Sequence, residues 1–474
     1  MKNRFNNLTS KEWLPFQKSW FRFAGHEDLY RKNIRFFTKN DGEAPANVFY
    51  QGPYRAIAEK VIQPHGVQLL DDSARDNASI QFAFFDLLES ITPETTPEEY
   101  YPIKKELINT LRLIYDNIQH RRFAAILIPN IQQGATYYPY AWDLAKSLAT
   151  LFSLKDEKIA CLDEPGKPGE KDEFRPVQDV FYCLYFRKDE RSNGAYTEMQ
   201  YDFFRNTKQL PSEHLVKPHR LPKWFILKPP PRKKNEILHP AKYPEKLVEM
   251  FLETFTKEHQ NVFDPMTGTG STQRSALLMQ RNGYGAELSQ FFTDIAYQRC
   301  ETLAAELKDQ NEENAHPDFK ILNKDAKAIT KGDFPEIDYI ITSPPYWDML
   351  NMKGAENQAK RIKKGLQTNY SDNRDDLGNL SDYGEFFDDL VKIYFRIADL
   401  MKPKSYLTIV VKNIKKKGNN YPFAWDLAHK LQDKLILLPE VFWLQDDLSI
   451  APYGYGNTFV SNTFHQYCLT FQKP

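Results

Sequence analysis

Val262-Phe263-Asp264-Pro265-Met266-Thr267-Gly268-Thr269-Gly270-Ser271-Thr272 starts apolar, turns on two glycines and runs into a helix-forming stretch. An apolar pair ending a short strand, then Gly-x-Gly, then a helix, is the opening of a βαβ unit. Paired glycines there allow a tight turn and close approach of the backbone to a ligand. Such a turn is common by itself, so its surroundings decide the fold. Upstream, Leu247, Val248, Phe251, Leu252 and Phe255 mark one apolar helical face. Downstream, the periodicity predicts a helix over 271–280, a strand over 284–288, a helix over 291–307, and strands over 319–322 and 339–342. A long amphipathic helix over 383–401, a strand over 406–411, a helix over 423–435 and a last strand over 466–471 follow. Strands alternating with helices predict an α/β protein with a mainly parallel, Rossmann-like sheet.

The chain has 474 residues, enough for about three domain equivalents and a sizeable core. Mean hydropathy is −0.62, and no run approaches the ~18 apolar residues of a membrane helix. The first residues, MKNRFNNLTSKEW, lack the apolar core of a secretory signal. These features predict a cytoplasmic protein with no membrane partner. Lys+Arg and Asp+Glu balance at 63 each, which excludes a histone-like polycation but not a local basic stripe. Cys161, Cys183, Cys300 and Cys468 form no CxxC pair, so buried thiols in a reducing compartment are expected rather than disulfides or a cysteine-rich zinc site.

The first half holds a partial copy of the second. Tyr138-Pro-Tyr-Ala-Trp-Asp-Leu-Ala145 matches Tyr421-Pro-Phe-Ala-Trp-Asp-Leu-Ala428 at all but one position, and the same spacing pairs Asn130-Ile131 with Asn413-Ile414. Tyr182-Cys-Leu-Tyr-Phe186 likewise matches Tyr467-Cys-Leu-Thr-Phe471. Matches in register point to an internal duplication. Three regions result: 1–210, a degenerate copy; 211–236, a basic proline-rich linker; and 237–474, the complete copy. The linker reads equally as solvated chain or as chain that touches phosphates. In the first half the counterpart of residues 343–347 falls near Phe82–Asp86, and residues 25–75 lack a paired-glycine turn.

Three features concern chemistry. Glu287 stands at the end of the strand after the glycine turn, where Rossmann folds hold a ribose diol. Asp325 follows the third strand, positioned to accept from an adenine amino group. Each acid alone reads as a surface residue; in this order with Asp264, Gly268 and Gly270 they predict an adenosine-containing ligand. Thr342-Ser343-Pro344-Pro345-Tyr346-Trp347 ends the fourth strand at the carboxyl edge, where α/β sheets bind ligands. Its prolines stiffen the backbone after Ser343.

On these residues the chain resembles the amino-group DNA methyltransferases, which methylate cytosine N4 or adenine N6 with S-adenosylmethionine (SAM). Asp264–Thr272 resembles the family's glycine motif, and Ser343–Tyr346 its [D/N/S]-P-P-[Y/F/W] tetrapeptide. His239-Pro-Ala-Lys-Tyr-Pro-Glu245 resembles the family helix that precedes the glycine motif. The resemblance runs over about 237–474, and Asn6–Trp13 resembles a leader found in one branch. It implies a SAM-dependent methyltransferase fold, with cofactor residues His239, Asp264, Pro265, Thr267, Gly268, Gly270, Thr272, Glu287, Asp325 and Ser343. It implies catalysis by Ser343, Pro344, Pro345 and Tyr346. Ser343 Oγ and the Pro344 carbonyl would accept the two N–H bonds of the target amine, and Tyr346 would stack on a flipped base. Serine in the first position favours N4-cytosine; N6-adenine stays open, as do an RNA amine and a non-catalytic scaffold. No Pro-Cys dipeptide exists for C5-cytosine chemistry, and neither His239 nor His465 has a ligand-spaced partner for a metal. Double-stranded DNA is the implied partner. Lys360, Arg361, Lys363 and Lys364 in loop 351–381, with Lys415 and Lys416, are the expected phosphate contacts. A restriction or defence partner subunit and an intrachain pseudo-dimer complete the expectations.

Overall fold

The computed structural model describes residues 5–40, 42, 46–70, 78–133, 136–163, 179–189, 221–228, 243–310, 316–345, 347, 377–416, 418–446 and 459–474. The chain forms two compact units. The first comprises Met1–Leu215, Lys412–His429 and Leu444–Gln466; the second comprises Val216–Val411, Lys430–Trp443 and Tyr467–Pro474.

In the first unit the elements are α1 (Ser10–Trp13), β1 (Trp20–Phe23), α2 (His26–Phe37), β2 (Ala46–Gln51), α3 (Arg55–Ile62), β3 (Val67–Leu70) and β4 (Ile80–Asp86). Then come α4 (Pro97–Ile114), β5 (Ile118–Ile128), the hairpin β6 (Ile131–Gln133) and β7 (Thr136–Tyr138), α5 (Tyr140–Leu148), β8 (Ser153–Leu162) and β9 (Val180–Arg187). Their sheet has the order β3-β2-β4-β5-β9-β8-β1. β2, β3, β4 and β5 pair in parallel, while β9 is antiparallel to both β5 and β8. α4 starts on a capping box, Thr96 with Glu99, and Pro97 fits the first turn because its missing N–H has no intrahelical partner there. An aromatic core of Trp13, Phe16, Phe36, Phe37, Phe82, Phe123, Tyr185 and Phe459 fills one face. Each such ring contributes about 1.5–3 kcal/mol by leaving water.

The second unit begins with β10 (Trp224–Ile226). Next are α6 (Glu245–Phe255), β11 (Asn261–Asp264), α7 (Ser271–Leu278), β12 (Asn282–Glu287), α8 (Gln290–Gln310), β13 (Phe319–Asn323), β14 (Ile337–Thr342), α9 (Tyr383–Ala398) and β15 (Met401–Val411). After the hairpin β16 (Ile414–Lys416) and β17 (Asn419–Tyr421) come α10 (Phe423–Leu431), β18 (Ile436–Leu437), β19 (Val441–Leu444) and β20 (His465–Gln472). The sheet order is β10-β19-β20-β15-β14-β11-β12-β13, with β18 beside β20. β11 through β15 pair in parallel and β20 returns antiparallel against β15. This is the expected Rossmann-like α/β fold. Its centre, where β11 sits between β12 and β14, is the topological switch point at which such sheets bind ligands.

Local order repeats between the sheets. Val48 pairs with Phe82 and Phe82 with Phe123, as Val262 pairs with Tyr339 and Tyr339 with Tyr406. Ile131 pairs with Tyr138 in one hairpin and Ile414 with Tyr421 in the other. The Asn130 side chain accepts from Ala141 N–H at 2.9 Å, and Asn413 from Ala424 N–H at 2.8 Å.

Two boundaries differ from expectation. Residues 224–226, read as linker, form an edge strand. Residues 412–429 and 444–466, read as part of the later domain, group with the first unit. The reason is chemical: Lys415 meets Asp156, Asn413 meets Glu157, and the fully buried Trp425 ring stacks 6.1 Å from Trp142. No helix among the described residues is long and apolar enough to cross a membrane. All four cysteines are free and buried.

Candidate functional site

Parallel pairing of β11, β12 and β14 brings Asp264, Glu287 and Thr342 to one carboxyl edge. Between the first two lies the glycine turn. Gly268 has φ +55° and Gly270 φ +78°, left-handed values that favour glycine. A Cβ on Gly270 would also lie 3.0 Å from Ala296 of α8, so the turn is packed as well as bent. Glu287 closes it: one carboxylate oxygen accepts from Gly268 N–H at 2.8 Å, the other from Ser289 N–H at 2.9 Å. A ligand entering the turn therefore meets a half-buried acid.

Asp264 is different. Its Oδ1 accepts from Thr342 Oγ1 at 2.7 Å and Met266 N–H at 3.0 Å. Its Oδ2 lies 2.7 Å from the Tyr243 hydroxyl and 2.9 Å from Thr272 Oγ1, and those two hydroxyls are 2.5 Å apart. Burial pushes the Asp264 carboxyl up from its ordinary value, against the pull of its hydrogen bonds from Thr342, Tyr243, Met266 and Thr272. Thr342 and Met266 fill Oδ1, while the Tyr243 and Thr272 hydroxyls share Oδ2 and one of the two can donate to the other. Asp264 and Thr272, expected to contact cofactor, bond each other and the residues around the turn. Thr267 is similar: buried, its hydroxyl donates to the Asp264 carbonyl at 3.0 Å. Pro265 is buried beside it.

SAM presents a ribose diol, an adenine and a methionine carboxylate, and the residues left over fit them. Glu287 faces the turn. Ser271 Oγ, in the first turn of α7, is buried with no hydrogen-bond partner among the described residues. That turn also carries backbone N–H groups without intrahelical acceptors, which suit an anion. Asp325 is half-buried and caps the short turn 326–328 by accepting from Lys327 N–H at 2.8 Å. Ser271 was missed in sequence because Thr272 beside it has the same chemistry; only the helix phase separates the inward hydroxyl from the unpartnered one.

Ser343, Pro344 and Pro345 follow β14, with Pro344 buried and the other two half-buried. Trp347 packs edge-on against Tyr383 at 5.3 Å. Tyr346, His239, Lys360, Arg361, Lys363 and Lys364 lie outside the described residues, as does most of loop 351–381. Lys415 is not a spare cation: its amine is bound to Asp156 and to the Ser461 carbonyl. Lys416 is half-buried in β16. Tyr243 and Thr342 are functional-site residues that received no role from sequence; Tyr243 lies 21 positions before the acid it binds, a separation with no periodic signature.

A family model described as DNA methylase, of the N6/N4 methyltransferase type, matches residues 98–298. The match runs from α4 into α8. It contains the glycine motif but ends before Ser343, and so differs from the expected span of 237–474. The family signal thus includes strands of the first sheet. The type II methyltransferase M.BglII of Bacillus subtilis is 34% identical over 90 residues, 19% of this chain and 23% of that protein. The orphan methyltransferase M.BamHII of Bacillus amyloliquefaciens is 43% identical over 61 residues, 13% of this chain and 23% of that protein. The chain thus spans about a quarter of the length of these curated relatives. Among solved structures, a rRNA methylase from Streptococcus thermophilus gives TM-score 0.28 at 12% identity, covering 49% of this chain and 98% of that one. The N-methyltransferase NodS of Bradyrhizobium japonicum gives 0.30 at 9%, covering 48% and 85%. Both are too remote to carry weight. The sequence matches show the resemblance to the N6/N4 DNA methylases, a family that uses SAM.

Proposed function

We propose that this chain is a site-specific DNA methyltransferase that moves a methyl group from SAM to an exocyclic base amine, N4 of cytosine being favoured. One observation carries the reading. Ser343-Pro344-Pro345 and the Gly268–Gly270 turn share a sheet edge: buried Asp264 joins Thr342 to Met266 at the start of the turn, and Glu287 accepts from Gly268 N–H.

An amine conjugated to a base ring is a poor nucleophile. Ser343 Oγ and the Pro344 carbonyl would accept its two N–H bonds and free the nitrogen lone pair; as N–CH3 forms the methyl–sulfur bond breaks, S-adenosylhomocysteine leaves, and the amine's extra proton passes to solvent. When bound, SAM supplies the electrophilic methyl group. Glu287 would hold the ribose end, and Ser271 with the first turn of α7 would hold the methionine end. The chain contributes positioning and preorganised acceptors rather than a covalent intermediate. Tyr346 stacks on the base swung out of the duplex.

The first unit is read as a non-catalytic copy, forming an intrachain pseudo-dimer and serving DNA binding or scaffolding. Its repeated registers support the reading as a copy, and Asp86, Leu87 and Leu88 at the positions of Ser343, Pro344 and Pro345 support the reading as non-catalytic. Lys416 and the 351–381 loop are the proposed phosphate contacts. The named relatives support a setting in restriction–modification or phage defence, in the cytoplasm with the DNA, where a restriction partner subunit would act on the same sites.

Duplex DNA and RNA are incubated in parallel with labelled SAM, then digested to nucleosides. N4-methylcytosine from DNA is the expected product. N6-methyladenine alone would change the base but keep the enzyme class; label only in RNA, or none, would overturn the reading.

A further inference from the structure

Ser343 stands one residue beyond β14, and two prolines stiffen the chain after it. Proline fixes its own φ and confines the residue before it to extended backbone. The motif is therefore a short rigid arm whose direction is set at its base, Thr342. Thr342 is fully buried, and its hydroxyl donates to Asp264 Oδ1. The same carboxylate receives Met266 N–H from within the glycine turn, Thr272 from the start of α7, and Tyr243 from the segment just before α6. Four separate pieces of backbone converge on one side chain that is 1% exposed. Buried hydrogen bonds to a charged group are directional and costly to leave unmade.

Resting on the methyl-transfer reading, we infer that Thr342 and Tyr243 are positioning residues, which act through Asp264 to fix Ser343 relative to the glycine turn. The distance between amine acceptor and methyl donor is then a property of this tie, and neither residue touches substrate or cofactor. The base of the arm is held by the β15 ladder, with Thr342 opposite Ile409, and on its side-chain face by this one hydroxyl, so removing the hydroxyl frees Ser343 to tilt without emptying the cofactor turn. Tyr243 acts one step further away, because Thr272 still occupies Oδ2 when the Tyr243 hydroxyl is lost.

The test uses the full chain, duplex DNA and saturating SAM. Thr342→Val keeps shape and deletes the hydroxyl; it should lower kcat about 10- to 100-fold, the scale of an ångström-sized misplacement of a reacting group. SAM affinity by calorimetry should change by less than about 3-fold, because the turn keeps Met266 and Glu287 as its anchors. Thr342→Ser, which restores the hydroxyl, should return kcat to within about 3-fold of the unsubstituted chain. Tyr243→Phe should show the same split at about 3- to 10-fold. An unchanged kcat in Thr342→Val, an equal loss in Thr342→Ser, or a fall in SAM affinity matching the fall in kcat would each overturn the inference. A second readout needs no activity. Amide hydrogen exchange in Thr342→Val should quicken together in 264–272 and 340–345, and quickening in one segment alone would also overturn it. If both segments respond but the unsubstituted chain methylates no nucleic acid, the tie stands and the methyl-transfer reading falls.

Discussion

At the carboxyl edge of the second sheet an acid ends β11 and hydroxyls surround it: Asp264 with Thr342, Tyr243 and Thr272. At the matching edge of the first sheet the acid has moved to the other strand. Asp86 ends β4, at the register position of Ser343, and Tyr50 occupies the position of Asp264. Tyr30 donates to Asp86 at 2.5 Å, the Tyr30 and Tyr50 hydroxyls are 2.9 Å apart, and Tyr54 N–H donates to Tyr50 at 3.0 Å. Burial pushes Asp86, Tyr30 and Tyr50 all upward. A Cβ on Gly52 would lie 2.7 Å from the Tyr50 hydroxyl. In one sheet the acid bonds a glycine turn; in the other, the Tyr30 and Tyr50 hydroxyls bond each other and Tyr30 bonds Asp86, with no paired-glycine turn beside them. A shared strand order thus carries two different clusters at its carboxyl edge.

Four substitutions sharpen or break this contrast. Ser343→Ala should cut methyl transfer by about 100- to 1,000-fold while SAM still binds, the loss typical of one preorganised polar group; full activity by label incorporation would remove Ser343 from the mechanism. Asp86→Ala should cost about 2–3 kcal/mol in urea unfolding, because it strands buried Tyr30 and Leu88 donors, with SAM affinity unchanged. A weakened SAM affinity there would mean the first edge holds ligand after all. Glu287→Ala should weaken SAM binding by about 1.5–3 kcal/mol in calorimetry; an unchanged affinity would put the ribose elsewhere.

The last effect is pH-dependent and confined to the first unit. Burial pushes Asp156 up, but Lys415 and Lys158 hold it at about 2, below its ordinary 3.8. The stability it adds is therefore complete above about pH 4 and is lost as pH falls through about 2, roughly 2 kcal/mol or a little more in all. Urea midpoints measured across that range should fall less steeply in Asp156→Asn; parallel slopes would show that the pair does not titrate as described.

Much of the second unit was legible in sequence because its signals are local. Helical periodicity gave α6 and α9 nearly to the residue, and an apolar run gave β14. Gly-x-Gly followed by Glu287 gave the turn and its closing acid. What stayed hidden depends on distance along the chain. Lys415 reads as a basic surface residue until Asp156, 259 positions away, is beside it. Asp264 reads as a cofactor contact, while its bonds to Thr342 and Tyr243 join positions 78 and 21 residues away that no local pattern links to it. The expected counterpart of residues 343–347, Phe82–Asp86, aligns by register with 339–343, so only Asp86 stands at a motif position; composition carries no signal for that shift or for Tyr50 and Tyr30 bonding around Asp86.

Trp142 and Trp425 stack at 17° between planes, each from its own copy of one octapeptide and each inaccessible to solvent. Carried on separate molecules, such a contact would form and part with dilution. Carried on one chain, the partners meet at an effective concentration fixed by the connecting polypeptide, on the order of millimolar for flexible links. The contact between these two rings is thus intramolecular, and its formation does not depend on protein concentration.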